Sequence, residues 1–337
     1  MTFFSGWHMP LYYDSILKEH SFCRSKACVF DTSHMGRIRF SGNIAKSGIE
    51  RAFTRNISKI PSGRARYGFV LNEKGGIIDD MIAFKVSEDD VLFIVNASSS
   101  LKDIKAMKNY IQSGEIKDET KDYAKIDLQG PASGRILKKV LRVDAPLKPF
   151  AFRFLKISSK PVMLSRSGYT GEDGYEIYTP VSNISDIWKS LLSCPDVKPA
   201  GLGARDILRM EMGYCLYGSD ISEDVTPLEA GLEKYVDFEK DFNGKKALLK
   251  QKKKGISKKR VGIKSHSKRA PRRGYQIFCE GKKAGKVTSG SFSPSLQCGI
   301  ALAYVDSGFE KVGTQLQVER GISAEVSRLP FYKRSSA

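Results

Sequence analysis

Apolar and polar positions along the chain switch between a period of two and a period near 3.6. The clearest alternation runs from Tyr67 to Asn96. It holds an apolar run up to Leu71, the pair Gly75-Gly76, the run Ile77-Ile78-Asp79-Asp80-Met81-Ile82-Ala83-Phe84, a charged turn at Ser87 to Asp90, and Val91 to Val95. Two β-prone runs flanking a Gly-Gly turn predict a hairpin, and the second turn predicts another. Side chains alternate along a strand, so Asp79 and Asp80 are expected on opposite faces, one towards water and one towards whatever the sheet covers. A carboxylate on a covered face is costly unless paired, hydrogen-bonded or put to chemical use. The competing reading places both acids at a solvated strand end.

Around this stretch the periodicity predicts a helix over residues 11–29, with Tyr12, Ile16, Leu17 and His20 on one face. Strands follow at Val29 to Ser33 and Arg37 to Phe40, then a helix from Ile44 to about Thr54 with Asn43 as N-cap. Ser98 to Ser100 cap another helix. Leu101, Ile104, Met107, Tyr110 and Ile111 form its expected sheet-packing face, with Asp103, Lys105, Lys108 and Asn109 opposite. This alternation predicts an α+β fold with a ferredoxin-like split β-α-β arrangement. Further strands are expected at Tyr123 to Leu128, Phe150 to Ile157, Val162 to Ser165 and Tyr175 to Tyr178. Helices are expected at Ala132 to Leu141, Ile184 to Leu192 and Arg205 to Met212. Six short strands between Arg260 and Arg328 with intervening turn residues predict a small β-barrel or sandwich.

Composition then narrows the class. The 337 residues are 41% hydrophobic and 28% charged, a globular balance with room for two or three domains. No apolar run reaches membrane-spanning length, and the start Met1 to His8 does not read as a secretory leader. The six cysteines are scattered and the four histidines dispersed. We therefore expect reduced thiols, a cytoplasmic-type compartment and no metal site. The net charge of +19 favours an anionic partner, although lysine richness spread along a chain also arises without a site. The densest basic run, Lys250 to Arg273, holds no aromatic residue on which bases could stack, so it reads as a solvated linker with a domain boundary near Gly255.

Two segments carry candidate chemistry. Ser167 to Glu176 is glycine-rich and allows sharp turns and close approach of a ligand to the backbone; it also reads as a plain hairpin loop. Arg205 falls in the first turn of its helix, where a cation opposes the helix dipole. That unfavourable choice suggests it holds an anion or an acidic side chain.

Taken together, eight segments resemble the glycine cleavage system T-protein (aminomethyltransferase) family over nearly the whole chain. They are Gly6 to Pro10, Phe30 to Gly36, Asn72 to Asp80, Leu128 to Pro131, Gly168 to Gly174, Ala200 to Asp206, Thr226 to Leu232 and Thr288 to Pro294. The resemblance implies three domains arranged as a cloverleaf around a central folate hole, the last a small β-barrel. The expected division is 1–250 for a folate-binding region of two interleaved α+β domains and 258–335 for the barrel. It implies transfer of a one-carbon unit from the aminomethyl-lipoyl arm of the H-protein to tetrahydrofolate with release of ammonia. Lipoylated H-protein and tetrahydrofolate are then the partners, with no metal, membrane or nucleic acid required. It assigns Asp80 as the catalytic carboxylate and Tyr67, Asn96, Tyr169, Glu176 and Arg205 to the folate site. Lys333 or Arg334 would stand where relatives place an arginine for the folate tail. The family usually starts about one helix before the Gly-Trp segment and this chain starts almost at it, so exposed apolar surface and a weaker edge of the folate domain are expected. A folate-dependent demethylase, or another folate-binding paralogue, would share the pocket without the lipoyl-arm surface.

Overall fold

The computed structural model describes residues 1–334; the expected barrel end at Ser335 lies outside them. The chain divides into two compact units. The first comprises Met1–Leu71, Ile78–Ala204 and Tyr235–Asn243, and the second Asn72–Ile77, Arg205–Lys234 and the chain from Gly244 onward.

The first unit is α+β. One of its sheets has five strands in the order Arg64–Leu71, Ile77–Ser87, Asp90–Val95, Gly36–Ser41 and Glu115–Asp118. The alternation of apolar positions puts Ile38, Phe40, Val70, Met81, Ala83, Phe93 and Val95 on one face, where Ile49, Phe53 and Met107 cover them. Each fully buried aliphatic or aromatic side chain in that layer contributes about 1.5–3 kcal/mol. The other sheet has six strands in the order Phe152–Ile157, Lys160–Ser165, Gly174–Pro180, Tyr123–Gln129, Ala27–Asp31 and Val197–Pro199. Its last pair is parallel and the others antiparallel. The helices Ser133–Leu141 and Ile184–Leu192 cover one face through Ile136, Leu137, Ile187 and Leu191. The two sheets meet over a smaller cluster of Phe84, Leu92, Ile94, Phe152, Met163 and Tyr178.

In the second unit all six expected strands form and close into a barrel, from Lys258–Ser265 to Ile322–Ser327. Its filling is small and aliphatic: Val261, Ile263, Ala301, Ala303, Val305 and Ala324.

Four local expectations are corrected. The helix near residue 20 spans only Ile16–Ser25. Residues 44–48 form turns, with Asn43 Oδ1 accepting from Lys46 N, and the helix proper is the four-residue Ile49–Ala52. Gly48 at φ +88° starts that helix, and a Cβ there would lie 2.0 Å from the Tyr110 carbonyl oxygen. The basic run is no linker: Lys245–Lys254 is a helix, Gly255 ends it at φ +88°, and the Lys258–Ser265 barrel strand follows. In the Ser100–Lys108 helix the expected faces are exchanged at two positions. Asp103 is wholly buried while Leu101 is 79% exposed.

Candidate active site

Asp79 and Asp80 lie on the Ile77–Ser87 strand and, as alternation requires, leave it in different directions. Asp79 is completely buried, whereas Asp80 keeps partial access to solvent. Tyr67, on the neighbouring Arg64–Leu71 strand, donates its hydroxyl to Asp80 Oδ2 at 2.8 Å. The Tyr67 ring is wedged edge-on against Phe69 and Tyr235, with centroids 5.2 and 4.8 Å away. Two T-shaped contacts fix the direction of the phenol.

Asn96 joins the two acids. Its Nδ2 donates to Asp79 Oδ1 at 2.8 Å and to Asp80 Oδ1 at 2.7 Å, and its backbone N–H donates to Asp79 Oδ2 at 3.2 Å. An amide nitrogen has two hydrogens, and here each faces a different carboxylate. Beside Asp79 sits the carboxyl of Asp103, on the Ser100–Lys108 helix. Lys102, one residue earlier on the same helix, donates its ammonium to the Ile78 carbonyl at 2.6 Å.

The electrostatics follow from burial. Enclosure, then the charge of Asp79, pushes the Asp80 carboxyl up to about 7, against the pull of the Tyr67 and Asn96 donors. Burial also raises Asp79, opposed by its bonds to Asp103 and Asn96. Asp103 rises to about 10, first from burial and then from Asp79. Such a cluster, with one acid near neutrality, is suited to accepting and returning a proton and to stabilising nearby positive charge.

Glu176 belongs to a second polar set in the six-stranded sheet. The register pairs Tyr178 with Lys125 and Glu176 with Asp127. Lys125 Nζ lies 2.8 Å from Glu176 Oε1, 2.5 Å from Asp127 Oδ1 and 3.1 Å from Thr32 Oγ1, with Lys125 and Asp127 fully buried. Glu176 Oε2 accepts from Ser167 Oγ at 2.6 Å and from Tyr178 OH at 2.9 Å. Three donors therefore occupy three of about four acceptor directions on this carboxylate.

Tyr169 is half-buried in the glycine-rich loop. Three side chains pin that loop. Gln129 donates Nε2 to the Ser167 carbonyl and accepts from Thr170 Oγ1, Arg24 donates to Glu172 and to the Thr170 carbonyl, and Arg166 pairs with Asp173. The glycines serve this packing. A Cβ at Gly168 would sit 2.0 Å from Gln129 Oε1, so the close approach is by a protein side chain.

Arg205 and Lys333 belong to the second unit. Arg205 is half-buried in the first turn of the Leu202–Glu211 helix, and Lys333 is exposed. Nearby motif residues brace this unit. Arg209, buried, bonds Asp206, Asp220 and Ser289, and Glu211 accepts from Ser293 and Ser295. The Thr288 to Pro294 segment thus receives two charged side chains of that helix.

The structure therefore brings Tyr67, Asp80 and Asn96 together and places Glu176 in its own network. Sequence reading passed over Asp103, Lys125, Asp127 and Tyr235. The Lys125-Ile126-Asp127 alternation was a usable signal for the middle pair, because two charges on one strand face amid apolar neighbours mark either a solvated face or a paired buried one.

Comparison with known proteins covers nearly the whole chain. The model of the GCVT N-terminal domain covers residues 1–240 and that of the glycine cleavage T-protein C-terminal barrel domain residues 258–333. The aminomethyltransferase of Bacillus subtilis is 40% identical over 98% of this chain and 94% of its own length. That of Halothermothrix orenii is 42% identical over 97% and 94%. The crystal structure of the glycine cleavage system aminomethyltransferase T from Bartonella henselae superposes with a TM-score of 0.93 at 34% identity, covering 99% of this chain and 94% of that one. With both domain models matched in order along nearly the whole chain, this protein belongs to the glycine cleavage T-protein family.

Proposed function

We propose that this protein is the aminomethyltransferase of a glycine cleavage system, moving the one-carbon unit of an aminomethyl-lipoyl H-protein to tetrahydrofolate with release of ammonia. Family membership carries the reaction class. The observation that carries the site is the Asp80 carboxyl, clamped by Tyr67 and Asn96 and held near neutrality. The reaction builds positive charge on a carbon–nitrogen centre and moves protons between amines. A fixed carboxyl at its titration point stabilises that charge and takes a proton without leaving its place. No covalent enzyme intermediate is needed, so holding two substrates in register supplies much of the rate.

For the folate acceptor, the donor set fits. Glu176 keeps one acceptor direction for a pterin N–H, and Tyr169 offers a ring face beside it in sequence. Arg205 and Lys333 are our candidates for acidic groups of the same substrate. The net charge of +19 suits encounter with an acidic, lipoylated partner protein. We retain 1–250 and 258–335 as the functional division of the chain.

The test is release of ammonia and methylenetetrahydrofolate from aminomethyl-loaded H-protein, with and without tetrahydrofolate. Folate-dependent turnover is expected. Asp80→Asn should bind folate with little change and lose about 10²–10⁴-fold in turnover, the usual contribution of a positioned acid–base group. Full activity in that variant would remove Asp80 from the mechanism.

A further inference from the structure

Three carboxyls meet at one spot, Asp79 and Asp103 fully buried and Asp80 partly open to solvent, and only two of them receive donors from amide or hydroxyl groups. Asp79 takes two bonds from Asn96, and Asp80 takes one from Asn96 and one from Tyr67. Neither oxygen of Asp103 accepts a hydrogen bond from an N–H or hydroxyl group among the described residues, although the side chain is wholly enclosed. Its neighbour is the Asp79 carboxyl. Two carboxylates cannot face each other in a dry site with both charged; one must carry a proton, and that proton makes the bond between them. Asp79, with two N–H donors already directed at it, is the one that keeps the charge.

We propose that Asp103 is a positioning residue for the aminomethyl transfer: held as the neutral acid, it donates to Asp79 and so fixes the Asn96 amide against Asp80. The chain of contacts is continuous. The proton on Asp103 leaves Asp79 with a single negative charge, Asp79 and Asp80 each claim one hydrogen of Asn96 Nδ2, and the amide is thereby locked in orientation. The remaining charge on Asp79 pushes the Asp80 carboxyl towards neutrality. The groups facing the cluster are Asp79 and Asp80 on one strand, Tyr67 on the next, and Lys102 and Asp103 on the helix above. Lys102 lowers both Asp79 and Asp103, and its ammonium donates to the Ile78 carbonyl. This inference rests on the reading of Asp80 as the catalytic carboxylate.

Two variants and one spectrum test it. In Asp103→Leu, Asp79 loses its donor and captures a proton itself. With Asp79 neutral, the acid limb of the kcat/KM profile, set by Asp80, moves to lower pH by about one unit, a tenfold change in proton concentration at half-activity. Asp103→Asn, whose amide N–H replaces the acid O–H, returns the limb to the wild-type position. A limb unmoved in Asp103→Leu, or moved equally in both variants, overturns the proposal, because a packing role lowers stability without shifting a titration. Independently of turnover, infrared spectra at pH 8 should show the carbonyl stretch of a protonated buried carboxyl in the wild type and in Asp80→Asn, and lose it in Asp103→Asn. A wild type without that band refutes the shared proton. Full turnover in Asp80→Asn with the band present would instead remove the catalytic reading and leave the proton pair intact.

Discussion

A neutral acid in the core makes a stability prediction that needs no substrate. The perturbation is Asp103→Asn. In the folded protein the Asp103 carboxyl is held up near 10, from burial and the adjacent Asp79; in the unfolded chain it titrates near 3.9. Between those values the folded state binds a proton that the unfolded state has lost. Stability from this group is therefore fully present below about pH 4 and falls as pH rises, by about 1.4 kcal/mol per unit, until the folded carboxyl itself ionises. At pH 7 the wild type is about three units above the unfolded value, a cost of about 4 kcal/mol. Solvent relaxation around the cluster halves such figures readily, so about 2–4 kcal/mol is the expected range. Asparagine fills the same volume, keeps a donor for Asp79 and has nothing to protonate. It should be more stable than wild type by that amount at pH 7 and equal to it near pH 4.5, with the gap widening steadily between. Urea unfolding followed by tryptophan fluorescence suits the question, since Trp7 and Trp188 both lie in the unit that holds the cluster. A variant destabilised by the same amount at every pH would refute the reasoning, as would a gap that closes as pH rises. Either result means that Asp103 carries its charge in the fold.

Other predictions follow from the same contacts. Tyr67→Phe removes one of the donors that lower Asp80. The acid limb of kcat/KM should rise by about half a unit to one unit, matching a lost charge-assisted hydrogen bond, and an unmoved limb would detach Tyr67 from the titration. Lys125→Met leaves Asp127 and Glu176 buried beside a thioether. It should cost about 3–5 kcal/mol in urea unfolding, with Glu176→Gln in the same background recovering part of it; a loss under 1 kcal/mol would mean the cluster is wetter than its burial indicates. Turnover with H-protein should fall in KM terms as salt rises from 50 to about 300 mM, because screening shortens the reach of the basic surface. A flat salt profile would separate the net charge from docking.

Much of the fold was legible because local pattern and tertiary burial agreed. The barrel strands carry period-two apolar positions bounded by turn residues, and nothing else competes for those residues. The pair Asp79-Asp80 was legible for the same reason: alternation alone predicts different environments, and the strand delivers them. Where local pattern and packing diverged, the reading failed in a consistent direction. The helix at Ser100–Lys108 has Leu101 and Ile104 at spacing that advertises an apolar face, and Asp103 seemed to mark the opposite one. In the fold its buried residues are Ser100, Asp103 and Met107, at i, i+3 and i+7. A helix places its chemistry on the buried face here, which a hydrophobicity pattern scores as solvent. Lys125 and Asp127 were hidden by the same rule, since two charges on alternate strand positions read as an exposed face.

Glu176 and Asp80 are two carboxylates that the fold supports differently, and the separate roles proposed for them follow from that difference. Glu176 lies against an ammonium that is itself shared with Asp127, and it takes two hydroxyl donors besides. Moving it would strand Lys125, so its geometry is set before any ligand arrives, which is what recognition of a flat heterocycle requires. Asp80 receives a phenol and an amide and stands beside the negative charge of Asp79. Its position is as fixed as that of Glu176, but its proton is not. A charge bound firmly in place recognises; a charge fixed in place and loosely protonated can take part in the reaction. The difference is made by the residues behind them, Lys125 for one and the Asp79–Asp103 pair for the other. That is why exchanging Asp103, and not only Asp80 itself, should move the pH dependence of turnover.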